Sequence, residues 1–153
     1  MARIGVTAIS GEGFEKVKYY GRGPWENYTD RCRSAEVGLY ENTVRGMFEW
    51  GYALPQENGN RTGVRYMELS SGDSALRISS KIPFEFGASH YTAADLFKVF
   101  HPNELTECTG TVLTLDLAQR GLGTGSCGPQ TLPQYEVSEK EYTFTLNFSL
   151  NKF

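Results

Sequence analysis

The sequence is short of the features that would settle its role quickly. No apolar run approaches the length that crosses a membrane, and the N-terminus lacks the charged-then-apolar pattern of a secretory signal. There is no basic excess. Fifteen Lys and Arg against 18 Asp and Glu leave a formal charge of -3, which argues against a nucleic-acid partner. Histidine is down to two residues, His90 and His101, and cysteine to three, Cys32, Cys108 and Cys127. No C-x-x-C pair occurs and neither histidine has ligand-like spacing to a cysteine, which argues against a zinc site, and no cofactor is expected. Buried thiols are the default expectation for the three. Repeats, low-complexity tracts and linkers are also missing, which leaves residues 1–153 as one domain.

What is present is ordinary in proportion and pronounced in pattern. With 39% hydrophobic and 22% charged residues, the chain has the composition of a folded domain. GLGTGSCGPQTLPQY, residues 121–135, follows the alternating VLTLDL and has glycines spaced like a dinucleotide-binding fingerprint. That reading requires a helix next, to present its amides to a pyrophosphate, but Pro129 and Pro133 bracket QTL and disfavour one. No acidic residue at a following strand end stands ready for a ribose. The glycines and prolines therefore shape an irregular loop.

Strand patterns fill most of the rest. RIGVTAI places Ile4, Val6 and Ala8 on one face; VRYMEL, LRISSKI and IPFEFG follow, with turns such as SSGDS between them. Near the C-terminus Tyr142, Phe144, Leu146, Phe148 and Leu150 share a face, which predicts a strand buried on one side. One helix is expected, a short AADLFKV segment capped by Thr92 and ending near His101–Pro102. Many short strands with a single brief helix describe an all-β, two-sheet sandwich.

Two polar stretches exceed what a plain sandwich needs: YYGRGPWENYTDR, residues 19–31, and PQENGNRTG, residues 55–63. The simple reading makes them loops, with charges paired in water and aromatics capping the core. The other makes them a sugar site, because rings stack on C–H faces while amides, carboxylates and guanidinia bind hydroxyls. Glu26, Asp30 and Glu57 could form an acid/base pair, but a bridge to Arg22, Arg31 or Arg61 is the simpler role for each. A Cys127–His nucleophile has no support in spacing. Three N-x-S/T sequons, at Asn27, Asn60 and Asn147, matter only in a eukaryotic secretory setting.

Taken in order, YYGRGPWENYTDR, PQENGNRTGVRYMEL, FEFGASHYTAADL and GLGTGSCGPQTLPQY resemble the C-terminal, small-chain domain of glycoside hydrolase family 2 β-galactosidases. The resemblance runs from about Ile4 to Leu146. It implies a β-supersandwich similar to galactose mutarotase, in a bacterial cytoplasmic or periplasmic enzyme that hydrolyses terminal β-D-galactosides with retention. The catalytic glutamates and the magnesium and sodium sites would lie in other domains of that parent, so no position here is expected to be catalytic and the fragment alone is expected to be inactive. The implied partners are those other domains and the galactoside or its aglycone, with neither nucleic acid nor membrane. In this family a loop of the domain reaches over the barrel mouth and often carries a tryptophan there; by its glycines and Pro129 that position falls on Cys127, beside Ser126. A thiol offers no ring face, so the departure bears on stacking. Cys127 is then expected to be exposed, against the default for a lone cysteine. Arg22, Trp25, Glu26, Asn27, Tyr28, Gln56, Glu57 and Asn58 are the expected domain-interface residues.

Two other readings stay open on the residues alone. A mutarotase-like aldose epimerase would need an acid and a base in the concave face, for which Glu57 with His90 or His101 is the candidate set. A stand-alone carbohydrate-binding module would need only the polar, aromatic loops.

Overall fold

The computed structural model describes residues 2–122, 127–130, 132–138 and 141–152. Its strands are β1 (Arg3–Ile9), β2 (Lys16–Gly23), β3 (Glu36–Thr43), β4 (Arg61–Ser71), β5 (Ser74–Ser89), β6 (Val112–Gln119) and β7 (Asn147–Lys152). Two short helices interrupt them, α1 (Val44–Met47) and α2 (Ala93–Lys98). The expected helix is α2: the Thr92 hydroxyl accepts a hydrogen bond from the Asp95 amide, an N-cap that fixes its start. The helix α1 has the same kind of cap, Thr43 accepting from the Gly46 amide, but four residues are too few to leave a periodic signal.

The class is all-β and sandwich-like, as expected, and the strands are linked through one antiparallel sheet ordered β1-β6-β5-β4-β2-β3. LRISSKI and IPFEFG, two strands by pattern, form the single long β5. Its far edge is shared: Ser74–Ser79 pairs with β7 and Glu85–Ser89 with β6. Pro83, which has no amide proton to donate, stands in the gap between the two pairings.

Alternation along these strands sorts their residues onto two faces. Val17 and Tyr19 of β2, Met67 and Leu69 of β4, Ile78, Phe84 and Phe86 of β5, and Leu113 and Leu115 of β6 share the core face, joined there by Val44 and Met47 of α1. The Tyr19 and Phe86 rings meet edge to face at 5.3 Å. On the other face the intervening positions of β5 and β6 are mostly polar or small, Glu85, Gly87, Ser89, Thr114 and Asp116, with Val112 opposite Ser89.

The C-terminal strand departs from expectation. It begins at Asn147 rather than near Tyr142, because the edge of β5 available to it ends at Ser79. Leu146 packs against the core cluster, but Phe148 and Leu150 are 56% and 61% exposed. Their strand lies at the sheet margin, and no layer of the described residues covers them. One-sided burial therefore stops at Leu146. Removing the Phe86 ring should cost about 3–5 kcal/mol, seen as a lower urea midpoint at unchanged slope for Phe86→Ala. A loss below about 1 kcal/mol would place the core elsewhere.

Candidate functional site

The two polar stretches come together. The first leaves β2 through a cis Gly23–Pro24 peptide, and the second leads into β4. Asn27 ties them. Its Oδ1 accepts from the Thr62 amide (2.9 Å) and hydroxyl (2.6 Å), and its Nδ2 donates to the carbonyls of Arg22 (3.1 Å) and Trp25 (2.9 Å). Its backbone N–H donates to the Asn60 carbonyl at 2.8 Å, and Asn60 Nδ2 donates back to the Asn27 carbonyl at 3.0 Å. Both asparagine side chains are buried, so the Asn27 and Asn60 sequons have no room for a glycan in the folded chain.

The carboxylates expected in these stretches are structural. Glu26 accepts hydrogen bonds from Arg31 and Tyr52, and its other oxygen accepts from the Gly59 amide at 2.8 Å. Burial and the Glu26 contact push the Tyr52 phenol up to about 12. Gly59 has a φ of +76°, and a β-carbon there would meet the Met47 carbonyl, so glycine is required. Glu57 is held by Arg3, whose Nη2 lies 2.9 Å from both of its oxygens. Arg61, a candidate partner from the sequence, is instead buried and donates to Tyr19 Oη, to the Gly59 carbonyl and to the Asn60 carbonyl.

Beneath these loops, on the polar face of the sheet, is a cluster the sequence reading missed. Glu85 and Asp116 are paired across β5 and β6, and both are buried. Asn60 Nδ2 donates to Glu85 at 2.8 Å, and Gln119 also hydrogen-bonds it. Neither oxygen of Asp116 has a hydrogen-bond partner among the described residues; Arg3 Nη1 stands 3.7 Å from Oδ2. Burial, opposed by the Asn60 and Gln119 hydrogen bonds, lifts the Glu85 carboxyl to about 7. Burial, opposed by Arg3, lifts Asp116 to about 6. A charged residue central to each of two strongly apolar strands, IPFEFG and VLTLDL, was the available signal.

A cavity of about 130 Å³ lies over the same face, lined in part by Thr7, Tyr28, Glu57, Asn60, Gly87 and Gln119. Neither Glu85 nor Asp116 lines it. Nor does either histidine: His90 Nε2 contacts Glu15 at 2.7 Å in a separate depression, and His101 is exposed beside the Glu104 cap. The acid and base an epimerase would need do not converge among the described residues.

The loop after β6 starts at this end of the sheet. Thr29 Oγ1 donates to the Gln119 carbonyl at 3.4 Å, and the Leu122 amide faces Asp30 Oδ1 at the same distance. Gly121, at a φ of +93°, lies where a β-carbon would run into the Asp30 carboxylate. Ser126 lies outside the described residues. Cys127 is exposed, while Cys32 and Cys108 are half-buried, so buried thiols are not what the fold provides. Of the expected interface residues, Trp25 is 67% exposed and Arg22, Gln56, Glu57 and Asn58 are half-buried. Asn27 and Tyr28 are buried within the domain, because the loop-to-loop bonding draws them inward. They support that surface from below and do not form it.

The fold is an all-β domain that gathers its two polar stretches and the start of its β6 loop at one end of the sheet. The chain belongs to the β-galactosidase small-chain family, whose model matches residues 1–148. It is 31% identical over 150 residues to a β-galactosidase of Staphylococcus xylosus and 32% identical over 152 residues to one of Actinobacillus pleuropneumoniae. A β-galactosidase of Arthrobacter sp. is 34% identical over 151 residues. These alignments cover 97%, 99% and 94% of this chain, and 15% of each relative. The chain thus spans about 15% of the length of the curated relatives it matches.

The buried carboxyls make stability depend on pH. Native Glu85 keeps its proton to about pH 7, whereas an unfolded glutamate releases it near 4.5. Between those values the folded state binds more protons, so stability falls as pH rises through the window, by roughly 3 kcal/mol in all. Asp116 adds a fall of the same sign at lower pH. Glu85→Gln, which keeps an acceptor for Asn60, should flatten the decline between pH 5 and pH 8 measured by urea unfolding. An unchanged decline would assign the proton uptake to other groups.

Proposed function

We propose that this chain is the C-terminal accessory domain of a retaining β-galactosidase, and that it acts on terminal β-D-galactosides only as part of that parent. The parent's other domains supply the acid/base and nucleophile carboxylates and any metal ions. This domain contributes the loop after β6, with Cys127 at the rim of the sugar pocket on the aglycone side. Trp25, Arg22, Gln56, Glu57 and Asn58 face the neighbouring domains. The observation that carries this reading is the root of the Cys127 loop: Gln119 and Leu122 are tied to Thr29 and Asp30, beside the exposed Trp25. An exposed tryptophan of that size next to a polar loop suits a covered surface better than an open one.

The isolated chain should fold and fail to hydrolyse nitrophenyl β-galactoside. Turnover by the pure chain that disappears in a Glu26→Gln, Glu57→Gln double variant would overturn the accessory role. In the parent enzyme, Cys127→Trp adds a stacking face at an exposed position, worth about 0.5–1.5 kcal/mol, or up to roughly tenfold in KM. The expected result is a change in KM and aglycone preference with little change in Tm. A variant with wild-type KM for lactose and for nitrophenyl galactoside would remove Cys127 from the rim.

A further inference from the structure

A second depression, separate from the polar loops, opens where α1 meets the end of β5. It has a volume of about 210 Å³, and Arg45, Phe48, Trp50, His90, Tyr91 and Glu107 line it. Its aromatic wall is braced. The Phe48 and Trp50 ring centroids are 4.6 Å apart, Phe48 and Tyr91 are 5.0 Å apart, and Trp50 stands nearly perpendicular to Tyr91. Even so, Trp50 remains 56% exposed. A ring fixed by its neighbours and open to solvent is a ready stacking platform.

The polar groups around it are equally fixed. Arg45 grips Glu107 with two hydrogen bonds, of 2.6 and 2.7 Å. Glu15 holds His90 Nε2 at 2.7 Å with one oxygen and accepts from the Arg45 amide at 3.0 Å with the other. The Cys108 amide donates to the His90 carbonyl at 2.7 Å, which fastens the Glu107 segment to the end of β5. The fully charged side chains that line the depression, Arg45 and Glu107, compensate each other, so a charged ligand would find no uncompensated partner among them. The Tyr91 hydroxyl also donates to Glu107 Oε1, at 3.5 Å; the remaining N–H groups of Arg45 and lone pairs of Glu107 are spare hydrogen-bonding capacity. Fixed donors and acceptors beside an open ring match a ligand with hydroxyls on its edge and C–H groups on its face. The volume equals about seven waters at ~30 Å³ each, the scale of one sugar ring and not of a chain.

We propose that this depression is a carbohydrate-binding subsite that takes one neutral, polyhydroxylated ring, stacked on Trp50 and read by Arg45, Glu107 and Tyr91. None of these residues belongs to the polar loops or to the Cys127 loop, so the site does not depend on the rim assignment. A small, half-open site of this kind should bind in the millimolar range.

The test uses the full chain and does not involve turnover. Trp25 and Trp50 are the two tryptophans, so in a Trp25→Phe variant Trp50 is the sole indole emitter. Titration of that variant with methyl β-galactoside and methyl β-glucoside should give a saturable emission change that equal osmolality of glycerol does not. By calorimetry, Trp50→Ala should weaken binding by about tenfold, Trp50→Phe by less, and Glu107→Gln by several-fold through loss of the Arg45 clamp. Far-UV spectra check folding, and Trp50→Phe, which keeps the aromatic wall, carries the test if the alanine variant unfolds. A linear response, an equal response to glycerol, tighter binding of galacturonate than of the neutral glycosides, or full affinity in both Trp50 variants would each overturn the proposal.

Discussion

A single buried amide organises the polar-loop end of this domain. Asn27 uses its side-chain oxygen on Thr62 and its side-chain nitrogen on two carbonyls of its own loop, while its backbone exchanges hydrogen bonds with Asn60. Asn60 passes the connection on to Glu85 in the sheet. Two loops whose asparagines stand 33 positions apart, and the strand beneath them, thus share one hydrogen-bonded path. Breaking it at Asn27 would leave several buried polar groups unpaired at once, each costing about 1–3 kcal/mol. A loop held that way keeps its shape whether or not another domain lies against it.

The same path explains why acids are tolerated on the inner polar face. Glu85 is acceptable there because Asn60 and Gln119 satisfy it, and it holds its proton to about pH 7 where burial penalises the charge. Asp116 is the weaker member, with Arg3 at 3.7 Å as its nearest compensation. Arg3 in turn is anchored by Glu57 from the second polar loop. Arginine, acids and asparagines therefore form a lattice whose product is geometry. Perturbed carboxyls usually prompt a catalytic reading. Here neither lines the cavity beside it, and Glu85 is engaged in holding Asn60.

Much of the architecture was legible because it is local. The Thr92 cap, the alternating strands and the density of turn residues in the two polar stretches are all set by neighbours a few positions apart. What could not be read depends on distant pairing. The C-terminal strand stops pairing at Ser79, short of Pro83, a residue that stands some sixty positions upstream. Asn27 and Tyr28 read as surface residues by type, and only their bonds to residues 60–62 turn them inward. Trp50, Arg45, His90 and Glu107 are scattered through the sequence without motif spacing, and the fold alone assembles them.

The start of the chain after β6 is tied into the same network. The chain leaving β6 passes Gly121, whose backbone conformation and closeness to Asp30 exclude any side chain, and Leu122, whose amide faces the same carboxylate. Asp30 belongs to the loop that Asn27 fixes, so the exit direction after β6 is set by the same network that shapes the Trp25 surface. The position of Gly121 and Leu122 thus depends on the same buried amides that shape the two polar stretches.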